Sequence, residues 1–276
     1  MKLFGKSESV LVAAREAAKD DPVHLRVEDV HKSYGTHHVL KGVSFDIQRN
    51  KTNLIIGPSG SGKTVLLRCI LRLEVPDEGK ILLDGVDVVP MKGRDLTELR
   101  RRYGMVFQMS ALFDSMNVFD NVAFPLLEHT NLSAKQVRER VMGRLDALGV
   151  AHASTKMPAE LSGGMQKRVA VARALVLESD IIIYDEPTTG LDPITSRAVD
   201  DLIVEMQERF GVTSLVISHD MASVFRIADQ LTFLSFGRVV AHGSPTEALA
   251  TDDPSAREFL DASGVTLEAL ASGQHP

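Results

Sequence analysis

The sequence has few of the features that mark a secreted or membrane-spanning protein. It contains a single cysteine, Cys69, so no disulfide can form within the chain, and a reducing compartment is expected. No apolar run approaches the ~20 residues that a helix needs to cross a bilayer. The apolar residues 10–14 are too few for the core of a signal peptide and are followed at once by charge. We therefore expect a cytoplasmic protein that reaches a membrane only through a partner.

The chain also lacks an excess of basic residues and lacks internal repeats. Its 31 lysines and arginines stand against 37 aspartates and glutamates, which gives a formal net charge of −6 at pH 7. This balance argues against a large nucleic-acid-binding surface. The basic run 100–102 is more typical of a solvated helix face. With 276 residues, 44% of them hydrophobic, the chain can bury a full core.

Residues 57–64 have the pattern of a phosphate-binding loop. They follow the apolar residues 54–56 and open into the helix-like segment 65–71, which is the strand–loop–helix context that the pattern requires. Glycines let the backbone N–H groups turn toward a polyphosphate, and the start of the helix adds partial positive charge. Lys63 can reach the β- and γ-phosphates, and the Thr64 hydroxyl can hold Mg²⁺. The nucleotide-binding residues predicted here are Gly57, Pro58, Ser59, Gly60, Ser61, Gly62, Lys63 and Thr64.

Apolar segments alternate with segments of helical periodicity along most of the chain. The predicted strands are 25–30, 42–47, 52–56, 80–85, 104–108, 181–184, 213–217, 230–235 and 238–242. The predicted helices are 65–71, 118–128, 133–148, 163–177, 194–209 and 220–228. This alternation predicts an α/β fold with a mainly parallel sheet covered by helices on both sides.

Two adjacent carboxylates, Asp185 and Glu186, end the apolar run 181–184. Ligands of open α/β sheets bind at the edge formed by the carboxyl ends of the strands. Asp185 is expected to hold Mg²⁺ through water, and Glu186 is placed to polarise the attacking water as a general base. Such a pair alone is more often a solvated turn, and it gains weight beside a phosphate loop.

Residues 161–168, Leu-Ser-Gly-Gly-Met-Gln-Lys-Arg, predict a second anion-binding helix start. Ser162 can cap the helix while Gly163 and Gly164 leave its N–H groups open. A monomer has no obvious use for two such sites. In a head-to-tail pair, each chain's residues 161–165 would close over the nucleotide on the partner's loop. The alternative is an ordinary glycine-capped turn, which the surrounding motifs disfavour.

Taken together and in this order, the motifs resemble those of the ATP-binding subunit of an ABC transporter. The resemblance covers about residues 24–245, and its motifs are residues 57–64, Gln108, 161–165, 185–186, 190–192 and 218–220. It implies that Tyr34 stacks on adenine and that Gln108 senses Mg²⁺ and the lytic water. It also implies that Asp192 signals across the dimer and that His219 bridges the γ-phosphate and Glu186.

The resemblance implies three sets of site residues. The catalytic residues are Glu186, His219, Gln108 and Lys63. The metal-binding residues are Thr64, Gln108 and Asp185. The ATP-binding residues outside the phosphate loop are Tyr34, Ser162, Gly163, Gly164 and Asp192.

The same resemblance sets the expected architecture. It implies a P-loop NTPase with a RecA-like core, an antiparallel β lobe and a helical lobe near residues 109–177. The expected units are an N-terminal extension (1–22), the ATPase domain (23–250) and a C-terminal tail (251–276). For residues 260–276, a frayed terminus is a simpler expectation than a contact with the partner.

Three segments are similar to one subfamily, the ATPases of the Mce-associated and Mla/Ttg2 lipid transporters. These segments are 111–130, 192–195 and 241–244. Residues 188–191, by contrast, have the sequence that is general among ABC ATPases. The similarity implies ATP and Mg²⁺ as cofactors. The implied partners are a second copy of the chain, a transmembrane permease and an Mce-domain lipid-binding protein, with no nucleic acid. It implies a peripheral protein on the cytoplasmic face of the inner membrane.

The segment after Gln108 is too apolar for a solvated loop. We interpret Phe119 and Val122 as core residues of the helical lobe. An apolar groove for a partner helix needs exposed apolar side chains, and we expect Leu112, Phe113 and Met116 to contact the membrane subunit.

Other functions remain open at this point. One is an importer ATPase for amino acids or another small solute. A soluble ABC ATPase acting on ribosomes or DNA usually has two ATPase halves or a long coiled-coil insert, and this chain shows neither. A GTPase is rejected, because residues 50–53 fail the Asn-Lys-x-Asp guanine-binding pattern and precede the phosphate loop.

Overall fold

The computed structural model describes residues 10–107 and 111–263. The helices are α1 (Val10–Ala17), α2 (Lys63–Ile70), α3 (Gly93–Arg101), α4 (Val118–His129), α5 (Ala134–Ala147), α6 (Gly163–Leu175), α7 (Pro193–Phe210), α8 (Met221–Ile227), α9 (Pro245–Leu249) and α10 (Pro254–Ala262). The strands are β1 (Val23–Tyr34), β2 (His37–Gln48), β3 (Thr52–Ile56), β4 (Glu78–Leu83), β5 (Val86–Asp87), β6 (Tyr103–Phe107), β7 (Ile181–Asp185), β8 (Thr213–Ile217), β9 (Gln230–Ser235) and β10 (Arg238–Gly243).

The strands form two sheets. The smaller sheet is antiparallel, in the order β2-β1-β4-β5. The larger sheet has the order β10-β9-β3-β8-β7-β6, in which β10 is antiparallel and the other strands are parallel. Since parallel strands need crossover connections, helices lie between them in the chain. The predicted α/β fold with an antiparallel β lobe is confirmed.

Burial of the large sheet on both faces explains why its central strands are continuous apolar runs. In β7, Ile182 and Tyr184 point into one hydrophobic cluster, and Ile181 and Ile183 point into the other. Side chains alternate between the two faces of a strand, so a short strand contributes to both clusters. One cluster includes α4 to α8, and the other includes the small sheet, α2 and α3.

Helices α4, α5 and α6 pack on one another beside the large sheet, as expected of a helical lobe. Val122 is fully buried and Phe119 packs against the same core, which confirms their predicted place. The limits of this lobe at 109 and 177, and the domain limits at 22 and 250, remain predictions.

Both segments outside the expected ATPase domain contain a packed helix. Leu11 of α1 is buried in the cluster beneath the small sheet, and Arg15 lies 3.4 Å from Asp180. Helix α10 begins at the N-cap Asp253 and buries Ala256 and Leu260. Both helices are therefore part of the folded unit in the described residues. Residues 1–9 and 264–276 lie outside that range.

Cys69 is fully buried on α2, as expected of a small apolar side chain. Across residues 10–107 and 111–263, we find no helix with the length and apolarity needed to cross a bilayer.

Candidate functional site

The phosphate loop connects β3 to α2 and is held tightly from two sides. Gly57 has φ +151°, and a Cβ built there would lie 2.0 Å from the Leu234 carbonyl oxygen of β9. Gly62 has φ +108°, and its Cβ would lie 3.0 Å from Leu40 of β2. A side chain at Gly57 would collide with backbone, so the glycines that the motif specifies are required by this fold.

Inside the loop, the Lys63 ammonium is held by the loop's own backbone. Its Nζ donates to the carbonyl oxygens of Gly57 (2.7 Å) and Pro58 (3.1 Å). Burial lowers the pKa of Lys63, an effect that the nearby carboxylates of Glu186 and Asp185 oppose. The hydroxyl of Ser61 is buried and has no hydrogen-bond partner among the described residues. The loop therefore holds a cation and an unused hydroxyl that could serve an anion.

The carboxylate pair lies where β7 ends, beside the end of β8. In the large sheet Asp185 is the register partner of Ile217. The strands β7 and β8 therefore end level with each other at the edge of the sheet. Glu186 has φ +49° and donates its N–H to the Ile217 carbonyl at 2.8 Å. Burial, followed by repulsion from Glu186, raises the pKa of Asp185, while Lys63 opposes the shift. The Lys63 ammonium therefore interacts electrostatically with both carboxylates.

His219 meets Glu186 directly. Its Nδ1 lies 2.8 Å from Oε2 of Glu186, and that oxygen also accepts a hydrogen bond from the Thr189 hydroxyl at 2.9 Å. His219 follows β8, and Asp220 beside it caps α8. Phosphate loop, carboxylates and histidine are brought together by the carboxyl ends of β3, β7 and β8, which are neighbours in the sheet.

The turn at 161–165 lies elsewhere. Ser162 caps α6 by accepting from the N–H of Met165 at 3.3 Å, and Gly163 and Gly164 are exposed. Ser162 and Gly164 line an open cleft of about 570 Å³, which has no wall from residues 57–64 in the described part of the chain. Within one chain, the phosphate loop and this turn therefore do not form a single site.

Asp192 caps α7 and accepts hydrogen bonds from the Thr195 hydroxyl (2.5 Å) and from the N–H groups of Ile194 (3.0 Å) and Thr195 (3.1 Å). These bonds, first of all that from the Thr195 hydroxyl, lower the pKa of Asp192. The adjacent Leu191 lines a cavity of about 510 Å³ together with His219. Asp192 thus follows a loop that begins at Glu186 and borders the histidine.

Tyr34 ends β1 and is 46% exposed. Its hydroxyl donates to the Glu74 carboxylate, a contact between residues 40 positions apart that no motif indicated. Gln108, the remaining predicted site residue, lies outside the described residues.

An apolar groove of about 580 Å³ lies between β6 and the helical lobe. Phe107 and Phe113 in its lining are 42% and 41% exposed. The Phe113 ring stands edge-on to Phe124, with centroids 5.1 Å apart, and the Arg173 guanidinium lies 5.6 Å from its centre. Leu112 is half-buried against the core. The groove therefore offers exposed aromatic surface rimmed by positive charge.

The family model described as "ABC transporter" matches residues 40–189. Over 235 residues the chain is 46% identical to the intermembrane phospholipid transport system ATP-binding protein MlaF of Escherichia coli (strain K12). That alignment covers 85% of this chain and 87% of MlaF. The chain belongs to the ABC transporter family. It is an ATP-binding subunit that hydrolyses ATP, and the resemblance inferred from its motifs is confirmed.

Solved structures of ABC ATPases agree with this assignment. CbiO1 of Clostridium perfringens, part of the transporter complex cbiONQ, superposes with a TM-score of 0.78 at 32% identity, covering 88% of this chain and 96% of that one. The dimeric bacterial ABC cassette MJ0796 superposes with a TM-score of 0.68 at 31% identity, covering 80% and 98%.

Proposed function

We propose that this ABC ATPase works as a head-to-tail dimer and drives a permease that moves phospholipid or another lipid between membranes. The observation that carries the lipid assignment is the 46% identity to MlaF over 85% of the chain. The contact between His219 and Glu186 beside the phosphate loop supports an ATPase that is competent for hydrolysis.

In this proposal the residues of the sheet edge take separate roles. Residues 57–64 bind the phosphates, and Lys63 exchanges its two carbonyl partners for phosphate oxygens. Glu186 orients and deprotonates the attacking water, while His219 holds Glu186 and contacts the γ-phosphate. The 2.8 Å contact between Glu186 and His219 supports this division, since it fixes the carboxylate before nucleotide binds.

The donor set fits Mg²⁺ as well. Thr64 at the start of α2 and Asp185 at the end of β7 supply the hard oxygen ligands that this ion prefers, and we assign Gln108 to the same site. The ion would neutralise charge on the phosphates.

The second half of each site comes from the partner chain. Ser162, Gly163 and Gly164 lie exposed at the start of α6, where they can meet a phosphate held by another copy. Ile194, next to Asp192, is 83% exposed and would be covered by the same contact. The dimeric state of MJ0796 supports this arrangement. Closure of the dimer would couple ATP binding to movement of the permease.

The apolar groove supports a permease contact at the helical lobe. Its exposed Phe113 suits an amphipathic helix of a membrane subunit. Leu112 and Met116 do not line the groove, and we assign them to the rim of the same contact because they are Phe113's neighbours in the chain. An Mce-domain lipid-binding protein would complete the complex, and the ATPase would lie peripherally on the cytoplasmic face of the inner membrane. We retain residues 23–250 as the ATPase domain of that assembly.

The decisive experiment is affinity purification from detergent-solubilised membranes, with copurifying chains identified by mass. A permease together with an Mce-domain protein would support lipid transport. A permease with a solute-binding protein would replace it with import of a small solute. Ribosomal or DNA-repair proteins without a permease would overturn the transporter assignment.

The groove is tested in the same preparation. Phe113→Asp should remove most of the copurifying permease, because a charge there would be buried under the docked helix. Leu127→Asp is the matched control: Leu127 is 63% exposed on α4 and does not line the groove. Equal permease recovery with the two variants would contradict the groove contact.

A further inference from the structure

Tyr34 is held at its hydroxyl by a carboxylate that belongs to none of the six nucleotide-binding motifs. One oxygen of Glu74 accepts from the Tyr34 hydroxyl, and the other accepts from Nη1 of Arg68 at 3.2 Å. Arg68 belongs to α2, the helix that starts at Lys63. Glu74 therefore links the aromatic ring to the helix that leaves the phosphate loop.

The strand end that carries the ring is fixed to the same segment by its neighbours. Lys32 Nζ donates to the Val75 carbonyl (2.8 Å) and to Asp77 (2.9 Å), and the N–H of Ser33 donates to Asp77 at 2.6 Å. The Lys32 ammonium also lies 5.7 Å from the centre of the Tyr34 ring. Backbone and ring are thus held separately, the first by Asp77 and the second by Glu74.

The protonation states support this geometry. The hydrogen bond to Glu74 raises the pKa of Tyr34 to about 12, and the same bond lowers the pKa of Glu74. At neutral pH the phenol therefore stays a neutral donor and the carboxylate a charged acceptor. A charge-assisted bond of this kind is stronger than a neutral one.

We propose that Glu74 is a positioning residue that orients the Tyr34 ring as the surface on which the nucleotide base stacks. The inference rests on the proposed ATP site, in which Tyr34 receives adenine. A ring that is half-exposed at the end of a strand would otherwise rotate freely. Ordering it during binding would then weaken affinity for the nucleotide. Among the described residues, Glu74 makes no hydrogen bond or ion pair with Lys63, Glu186 or His219, so we expect the hydrolytic step not to depend on it.

A purely structural role for Glu74 makes a different prediction. As half of an exposed ion pair with Arg68, whose side chain is 53% exposed, it would contribute little to stability and nothing to nucleotide affinity. Base-specific affinity therefore separates the two roles.

The experiment measures the dissociation constants of Mg-ADP and of inorganic pyrophosphate, which shares the phosphates but lacks the base. Glu74→Ala should weaken ADP binding roughly threefold to tenfold, the size expected for ordering one side chain, and leave pyrophosphate binding unchanged. The KM for ATP should rise by a similar factor while kcat stays at the wild-type value. Glu74→Gln keeps an oxygen acceptor for the hydroxyl and should restore most of the affinity.

A second pair of variants checks that Glu74 acts through Tyr34. Tyr34→Phe keeps the ring but loses the hydroxyl, so it should lose as much ADP affinity as Glu74→Ala. The double variant should lose no more than either single one. Glu98→Ala is the control, since Glu98 pairs with Arg101 at 3.0 Å in a comparably exposed position. It should leave both ligands unaffected.

The failures are distinguishable. If Tyr34→Leu weakens ADP but Glu74→Ala does not, the positioning role is overturned and the base site survives. If Tyr34→Leu changes ADP and pyrophosphate binding equally, the base site itself is overturned. A loss of pyrophosphate affinity in Glu74→Ala would also overturn the inference, because it would place the effect in the phosphate loop.

Discussion

Two aspartates at opposite ends of β7, Asp180 just before the strand and Asp185 as its last residue, have opposite environments. At the start, hydrogen bonds from His24 and Arg102 hold the pKa of Asp180 well below its usual range even though burial opposes them. At the end, burial and repulsion from Glu186 raise the pKa of Asp185. Only five residue steps separate the two aspartates, roughly 16 Å of extended chain.

The wider surroundings repeat this contrast. His24, Asp84 and Asp180 present ligand atoms within 4.8 Å of one another, a spacing that would suit a metal ion. However, Arg102 contacts both aspartates and Arg49 contacts Asp84, so that the negative charge is already neutralised. Because its charges are paired, we interpret the cluster around Asp180 as structural. The carboxylates at the other end of β7 are the ones that we propose bind a ligand.

The largest change should come from removing the proposed general base at the carboxyl end of β7. Glu186→Gln keeps the shape of the side chain but cannot accept a proton, so ATP hydrolysis should fall by about 10²- to 10⁴-fold. ATP-dependent dimerisation should persist, because the phosphate loop is unchanged. Phosphate release and size-exclusion chromatography with and without ATP check both parts. Near-normal hydrolysis would exclude Glu186 as the base.

At the other end of β7, removing the charge of Asp180 should lower the stability of the fold and leave ATP hydrolysis unchanged. Asp180→Asn would leave the buried Arg102 short of a counter-charge and lower the free energy of unfolding by roughly 3 kcal/mol. The measurement is the urea unfolding midpoint, with Asp201→Asn on the exposed face of α7 as the control. ATP turnover per folded molecule should remain near wild type. A variant as stable as the control would show that the cluster is not structural.

A smaller effect is expected when the cation of the phosphate loop is removed. Lys63→Ala deletes charged hydrogen bonds to phosphate that are each worth about 2 kcal/mol, so Mg-ADP should bind about tenfold to a hundredfold more weakly. Calorimetric titration measures the affinity. The urea midpoint should hardly change, in contrast with Asp180→Asn. A large loss of stability would contradict the division between the two ends of the sheet.

The smallest effect concerns acid sensitivity. Burial lowers the pKa of His24 below its ordinary value of 6.5, despite the opposing contacts with Asp180 and Asp84. As the pH falls through about 6.5, the unfolded chain therefore takes up a proton that the folded chain does not. The free energy of unfolding falls accordingly below that pH.

Replacing His24 with glutamine should flatten this part of the profile by less than about 1 kcal/mol between pH 7 and 5.5. The comparison uses the difference between variant and wild type, because Asp200, whose pKa burial raises to about 6, contributes with the opposite sign in both proteins. Identical slopes would exclude His24 as the source.

Sequence patterns predicted one end of the sheet far better than the other. The residues of the proposed ATP site lie in short motifs, such as 57–64 and 185–186, so that neighbouring positions in the sequence are enough to indicate their chemistry. The compensated cluster joins residues 24, 84, 102 and 180, and nothing in the local sequence relates them. Contacts of this range arise from the strand order of the sheet, which periodicity does not specify.

The same reason explains the smaller omissions. Helix α10 has Asp253 as its N-cap and Pro254 as its first residue, a good N-terminal signal. Its packing, however, includes the contact of Phe259 with Phe233, whose ring centroids lie 5.3 Å apart. Glu74 shows no motif, because its importance comes from Tyr34, 40 positions earlier. The sequence predicted the chemical groups of the site, and the tertiary structure supplied the residues that hold them.

The buried Cys69 has a practical consequence. The chain has one cysteine, and it is fully buried. Burial also raises the pKa of its thiol to about 11. The wild-type protein should therefore react little with thiol-directed labels. A cysteine introduced at exposed Asp201 would take up a maleimide dye selectively. Energy transfer between two labelled copies could then follow the opening and closing of an ATPase dimer in real time.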